Sequence, residues 1–379
     1  YGVATRGDGT AVIAGLSDFS ATTFPTTSQA FQKSHSDTSI GVPDAFAAKF
    51  DINAAGPASL VWSTLYGGAG PSQATDVDLD ASGNVVIVGA HSTQCTGGSG
   101  GGVSIPFVAT IYPPAAPGTG APAAPCKMMP STPGAFQTQP SSTSTDYYTD
   151  AWVAKLSADG TTLQMGTFLH GKTWSHADVA LGVDESNGLI YVTGATEAAD
   201  FPTTPDSVLP VPKCKYSWYC GTHPFVSVLD PAKTGTDQLK AGTYWGDAYG
   251  MAGATAIKVD VDGKVVVGGS AYSYEARAMV PIVAAGKNVP VQDSYYSNLI
   301  VGRFSQDLRK LEASLSFGRD SWAQEGNYAF YGFYYGYDDY GTGPTTALPT
   351  MWTRALTGIS STSAKPPTRA AASRPRMAP

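Results

Sequence analysis

Residues 44–68 read DAFAAKFDINAAGPASLVWSTLYGG, and a degraded copy, DAWVAKLSADGTTLQMGTFLHG, occupies residues 150–171. Each copy is an apolar run, a polar turn, and a second run that closes on an aromatic residue and glycine. The first run returns as HPFVSVL (223–229) and SNLIVGRF (297–304). The second returns as LKAGTYWG (239–246) and LEASLSFG (311–318). Between these pairs lies a hairpin phrase: ATDVDLDASGNVVIVGA (74–90), DVALGVDESNGLIYVTGA (178–195) and ATAIKVDVDGKVVVGGS (254–270), with YGVATRGDGTAVIAGL opening the chain at residue 1. Self-similarity at this spacing is the mark of a repeat architecture.

The letters of the hairpin have a physical reason. Alternating apolar residues build a half-buried strand, and the SGN, SNG and DG centres supply the positive φ of tight hairpin turns. The β-branched runs that follow (85–88, 190–192 and 265–267) suit strands covered on both faces. Each unit therefore holds four strands. Its closing glycines, Gly15, Gly89, Gly194 and Gly269, are 74, 105 and 75 residues apart. Four-stranded units in series predict an all-β fold, a β-propeller of about four blades. The chain opens on a hairpin and its last clear copy has only the other two strands. The expected ring is thus closed by the N-terminal strands pairing with the C-terminal half-blade. Residues 1–318 form the propeller, 319–351 an aromatic, glycine-rich extension, and 352–379 an extended basic tail.

The phrases DAFAAKFD, WSTLYGG, DASGNVVIVG and FPTTSQAFQ (24–32), with the echoes STPGAFQ (131–137) and FPTTPDSVL (201–209), resemble the bacterial SBBP-type β-propeller repeats. The resemblance spans about residues 1–318. It implies blades of four strands and a secreted or surface location in a bacterium. The family is often seven-bladed, and this chain holds fewer units.

Composition agrees with turn-rich β structure. Charged residues make up 14% of the 379, against 43 glycines and 27 prolines. The net charge of −7 gives no reason to expect nucleic acid as a partner. Residues 1–351 carry −12 and the tail carries +5, from Arg354, Lys365, Arg369, Arg374 and Arg376. No apolar run is long enough to predict a membrane span. The chain starts at Tyr1 with no signal-like segment, so a mature or trimmed product is expected. Cys95 with Cys126 and Cys214 with Cys220 form two close pairs in loops. They read as local disulfides in an oxidising compartment, secreted, periplasmic or on the cell surface, with a zinc site as the alternative.

Long four-to-one connections, including an insertion at 90–149, are expected at one end of the sheets, where binding residues usually sit. All five histidines fall at that end: His35, His91, His170, His176 and His223. The tightest constellation is HGKTWSHAD (170–178). His170, Trp174, His176 and Asp178, with Trp245 and Trp322 nearby, offer either metal ligands or a glycan-stacking site. Asp76, Asp78 and Asp80 alternate along one strand, a weak calcium candidate lacking the glycine and terminal glutamate of a calcium loop. DVDG (260–263) reads as a turn. Residues 328–340 contain eight aromatics in thirteen positions. Within them Tyr331, Phe333, Tyr334, Tyr335 and Tyr337 are candidates for contact with a protein partner, a second copy or a glycan. No carboxylate pair or nucleophile–base set has motif spacing, so the expected role is a non-catalytic binding or assembly module. Carbohydrate binding and a metal-dependent enzyme are the alternatives. No cofactor is expected beyond the calcium candidate.

Overall fold

A computed structural model describes residues 2–17, 24–36, 42–92, 127–141, 149–172, 177–212, 221–246, 250–273, 282–284, 287–289 and 298–317. The chain divides into two units, Tyr1–Tyr335 and Gly336–Pro379, and every described residue lies in the first.

The described residues are all-β and contain no α-helix. Sheet 1 is β1 (Gly2–Thr5), β2 (Thr10–Ser17), β3 (Asp44–Asp51) and β4 (Leu60–Tyr66). Sheet 2 is β5 (Ser72–Leu79), β6 (Val85–His91), β7 (Asp150–Leu156) and β8 (Leu163–Leu169). Sheet 3 is β9 (Val179–Ser186), β10 (Leu189–Thr196), β11 (His223–Leu229) and β12 (Leu239–Tyr244). Sheet 4 begins with β13 (Gly250–Val259) and β14 (Val265–Ser273). It then skips a small hairpin, β15 (Ile282–Ala284) and β16 (Lys287–Val289), and ends with β17 (Asn298–Phe304) and β18 (Leu311–Phe317). Every pairing is antiparallel between neighbours, so each sheet is a simple meander.

This topology corrects the expected closure. The N-terminal hairpin pairs with β3, in register from Thr10↔Asp51 to Ser17↔Asp44, and not with β17 and β18. Those two strands complete sheet 4 through β14. The repeat frame therefore begins at the hairpin, and the described residues hold four whole units where the sequence predicts one split across the two ends. The physical reason is locality: the connection after β2 is long enough to bring the next strand back antiparallel, so each sheet forms from consecutive residues.

The sheets pack in chain order. The first strand of each lies beside the first strand of the next, giving the row β1, β5, β9, β13. Three cores fill the gaps. Trp62 and Tyr66 meet Ile87, Trp152 and Phe168 between sheets 1 and 2. Val86, Val88 and Val153 meet Val183, Val192 and Phe225 between sheets 2 and 3. Tyr191, Val226 and Trp245 meet Ile257, Val267 and Phe304 between sheets 3 and 4. Strand β6 thus sends Val85 and Ile87 one way and Val86 and Val88 the other, as its unbroken apolar run predicts. At Gly89 a β-carbon would overlap the Gln73 carbonyl oxygen, and at Gly194 that of Val179. Both sit at register shifts, so the bulge, together with close backbone approach, accounts for the recurring glycine.

A second device ties each of the first three sheets to the next. In FPTTSQAFQ the chain runs along the outer strand of sheet 1: Thr27 N–H donates to the Ser63 carbonyl at 3.2 Å and Leu65 N–H to the Gln32 carbonyl at 3.1 Å. The Gln32 N–H donates to Thr64 Oγ1 at 2.9 Å. The same bonds recur from Gln137 to Thr167 Oγ1 at 3.0 Å and from Leu209 to Thr243 Oγ1 at 2.9 Å. The residue before each reaches into a turn of the following sheet: Phe31 N–H to the Gly160 carbonyl, Phe136 N–H to Gln238 Oε1, Val208 N–H to the Leu308 carbonyl. In sheet 4, Leu315 pairs with Val301 where Thr243 pairs with Val226 in sheet 3, so the threonine anchor is missing there.

Candidate functional site

The antiparallel register gathers one set of strand ends. His91 lies opposite Ser72 and Asp150, Thr196 opposite His223, and Ser17 opposite Asp44. The long connections leave from this end, and His35, His91, His170 and His223 all occupy it. That part of the sequence reading depends only on strand alternation, so it survives the corrected closure.

What the ends hold is a buried polar layer. In sheet 1, Asp44 Oδ2 accepts from the Ser36 N–H at 2.8 Å and Gln32 Nε2 at 3.2 Å, while Gln32 Oε1 accepts from the Gly67 N–H at 3.0 Å. His35 Nδ1 stands 3.4 Å from the same Asp44 oxygen. Sheet 2 repeats the corner: Asp150 Oδ2 accepts from the Ser141 N–H at 2.9 Å, and Gln137 Oε1 from the His170 N–H at 2.9 Å. His170 therefore takes the place that Gly67 has in sheet 1. Its Nδ1 is 2.8 Å from the Gly171 carbonyl and its Nε2 is 3.0 Å from the Gln139 carbonyl. A metal needs a lone pair from one ring nitrogen, and both nitrogens here face carbonyl oxygens, which only accept. The ring is a tie between two loops.

Asp178, the other described member of 170–178, is fully buried and accepts from the Gly171 N–H at 2.9 Å. It follows the Ser72 position of sheet 2, where the Ser72 hydroxyl lies 2.8 Å from His91 Nδ1. Burial pushes Asp178 well above the usual carboxylate range, and the nearby Asp150 and Glu197 add to the rise against the opposing Gly171 N–H and Thr196 hydroxyl. Burial likewise raises Asp150, with His170 opposing. Glu197, its carboxyl enclosed beside the Thr222 hydroxyl, is pushed up to about 7. His91, in full burial, is pushed down to about 4. These shifts share one cause, loss of water around the charged form.

Trp245 is also at this end, but its side chain points inward. It is fully buried and meets the Phe304 ring edge-on with centroids 5.5 Å apart. No ring face is left for a sugar to stack on, which corrects its place among the ligand-binding candidates. Its position beside the sheet 3–4 core, rather than its loop-like sequence context, decides this. Trp174, His176 and Trp322, the partner-contact candidates Tyr331, Phe333, Tyr334, Tyr335 and Tyr337, and the cysteines Cys95, Cys126, Cys214 and Cys220 lie outside the described residues.

Asp76, Asp78 and Asp80 do different work from one another. Asp76 Oδ2 accepts from the Val183 N–H at 3.0 Å and Asp78 Oδ2 from the Glu185 N–H at 2.8 Å, both on the first strand of sheet 3. Asp184 repeats this one sheet on, accepting from the Val259 N–H at 3.0 Å and pairing with Lys258. These carboxylates satisfy N–H groups of exposed strand edges, a job invisible in the sequence because it needs the neighbouring sheet. Asp80 turns back into its own hairpin, accepting from the Ser82 and Asn84 N–H groups at 2.8 Å and pairing with Lys155 at 2.7 Å. Burial opposes its ionisation, yet the Lys155 and Asn84 bonds hold it below the usual range. Asp260 of DVDG forms the same turn and pairs with Arg303 at 2.8 Å. Among the described residues no group of three or more His, Cys, Asp and Glu side chains is placed to hold a metal ion, and no described helix is long and apolar enough to cross a membrane.

No family model matches the chain, and no curated protein matches it.

Proposed function

We propose that the four sheets are successive blades of a β-propeller of the SBBP-repeat kind, and that the chain serves as a non-catalytic binding or assembly module outside the bacterial cytoplasm. The observation that carries this reading is the repeated inter-sheet design. The clasp through Gln32, Gln137 and Leu209 recurs three times with nearly unchanged bond lengths. Its polar groups hold sheet to sheet, as do Asp76, Asp78 and Asp184. A scaffold so tied presents its long connections from one rigid end, the usual arrangement for recognition loops. The described histidines and carboxylates at that end are buried and bonded within the scaffold, which favours a binding role for the connections over chemistry at the strand ends.

The test is capture from native culture medium with the whole chain as bait, followed by mass spectrometry of what is retained. The reading expects a protein or glycan partner whose retention is lost when residues 93–126 are replaced by a short glycine-serine link. Turnover of a substrate by the purified chain, abolished by His170→Gln without loss of folding, sinks it. The extracellular placement is checked separately by non-reducing peptide mapping, which is expected to link Cys95 to Cys126 and Cys214 to Cys220.

A further inference from the structure

The three inter-sheet cores are one interface used three times, and its two halves are left over at the ends of the row. Val77, Val183 and Ile257 occupy equivalent positions on the first strands of sheets 2, 3 and 4, facing the preceding sheet, and are 4%, 3% and 4% exposed. Val3 is the same position in sheet 1 and is 66% exposed. Phe46 likewise stands where Trp152 and Phe225 are buried in sheets 2 and 3, and is only partly covered.

At the other end, Val153 and Val226 face the following sheet from the third strands of sheets 2 and 3, both 0% exposed. Their counterpart in sheet 4, Val301, is 36% exposed, with Leu299 at 61% and Leu315 at 52% beside it. Among the described residues, the packing that joins each sheet to the next does not join sheet 4 to sheet 1.

We propose that two copies of this chain join head to tail, the open face of sheet 4 in each packing on the open face of sheet 1 in the other. The occupant is identified by continuity. The face that sheet 4 leaves open is built to take a first strand bearing valine or isoleucine at the Val183 position, and sheet 1 carries Val3 there. A heterologous contact of this kind closes if the second junction forms at the other end, giving a two-fold dimer with two identical junctions. The inference rests on reading the sheets as blades, since only then does a fifth sheet continue the row.

The experiment uses the full chain and measures mass by light scattering and sedimentation over a wide concentration range. The expected result is twice the single-chain mass of 39.2 kDa. Val3→Glu and Val301→Glu each place an uncompensated carboxylate in both junctions and are expected to weaken the dimer by at least roughly 100-fold. Both positions are solvent-facing in the single chain, so circular dichroism and melting of the monomer stay unchanged. Mixing the two variants restores association through one unaltered junction, Val3 of the Val301→Glu copy against Val301 of the Val3→Glu copy, while the other junction carries both carboxylates.

A wild-type monomer at every concentration, variants that stay dimeric, a mixture that fails to associate, or species larger than two chains each overturn the proposal. Hydroxyl-radical footprinting separates this failure from failure of the blade reading. In a monomer, protection of both Val3 and the Leu299 and Leu315 side chains means that the ring closes within one chain, so the blades stand and the dimer falls. Ready oxidation of both removes the ring as well.

Discussion

Sheets 2 and 3 sit inside the row and sheets 1 and 4 end it, and the same residue type behaves differently in the two settings. Val183 is 3% exposed and Val3 is 66% exposed, although each follows a glycine on the first strand of its sheet. The strand supplies an apolar face, and the neighbouring sheet decides whether that face becomes core. A second contrast lies in the polar groups. The interior junction has Asp78 and Asp184 reaching to the next strand edge, whereas sheet 1 has Ala4 at that position and sheet 4 has Lys258.

The largest test of this contrast is a pair of aromatic truncations. Trp152→Ala removes a ring that is 1% exposed and packed 5.0 Å from Tyr66, and is expected to cost about 3–5 kcal/mol in denaturant unfolding. Phe46→Ala, at the equivalent place in sheet 1, is expected to cost about a third as much in the monomer. Equal losses would show that sheet 1 is covered.

Next comes pH. Glu197 has a folded pKa raised to about 7 from 4.5, so its neutral form favours folding, and that contribution is lost as pH rises from about 4.5 through 7. Glu197→Gln should therefore gain on the wild type across that interval, by up to about 2 kcal/mol given its partial exposure. His91 runs the other way. Its folded pKa is lowered to about 4 from 6.5, so stability is lost as pH falls from 6.5 towards 4, and His91→Gln should flatten that limb. Melting curves from pH 4 to 8 on both variants read the two signs separately. Sheet 4 has Ala252 and Ala271 in place of the Asp178 and Thr196 pair, and no titration of this kind is expected from it.

The clasp provides a smaller effect. Thr167→Val removes the hydroxyl that accepts from the Gln137 N–H and is expected to cost about 1–2 kcal/mol. Leu315→Thr, which puts the threonine of the other outer strands into β18, where β15 packs, should change stability by less than about 0.5 kcal/mol. The smallest expected effect is Val3→Ala, within about 0.5 kcal/mol at concentrations where the chain is monomeric, against about 2 kcal/mol for Val183→Ala.

Much of the fold was legible in the letters. The hairpin phrase located β5 with β6, β9 with β10 and β13 with β14, because turn chemistry and alternation act over a few residues. The frame of the repeat was not legible. Nothing within YGVATRGDGTAVIAGL says whether it ends a sheet begun elsewhere or begins one, and only its pairing with Asp44–Asp51 settles that. His170 looked like a ligand beside a tryptophan and a second histidine, and in the structure it is a loop tie standing where sheet 1 has Gly67. The signal that could have exposed this was the alignment of GG in residues 67–68 with HG in 170–171. Trp245 sits next to a glycine at the end of a strand and reads as a loop residue. Its burial comes from Phe304, almost sixty residues later.

By itself, then, the sequence determined four strands per unit, about four units, the end from which the long connections leave, and the turn role of Asp260. These follow from local periodicity and from turn residues bonding their own neighbours. The tertiary structure alone decided which strands share a sheet, that Asp76, Asp78 and Asp184 cap the edge of the following sheet, and which equivalent valines are core or surface. Each of those outcomes depends on a partner distant in the chain, and a strand's own residues do not record who lies across the gap.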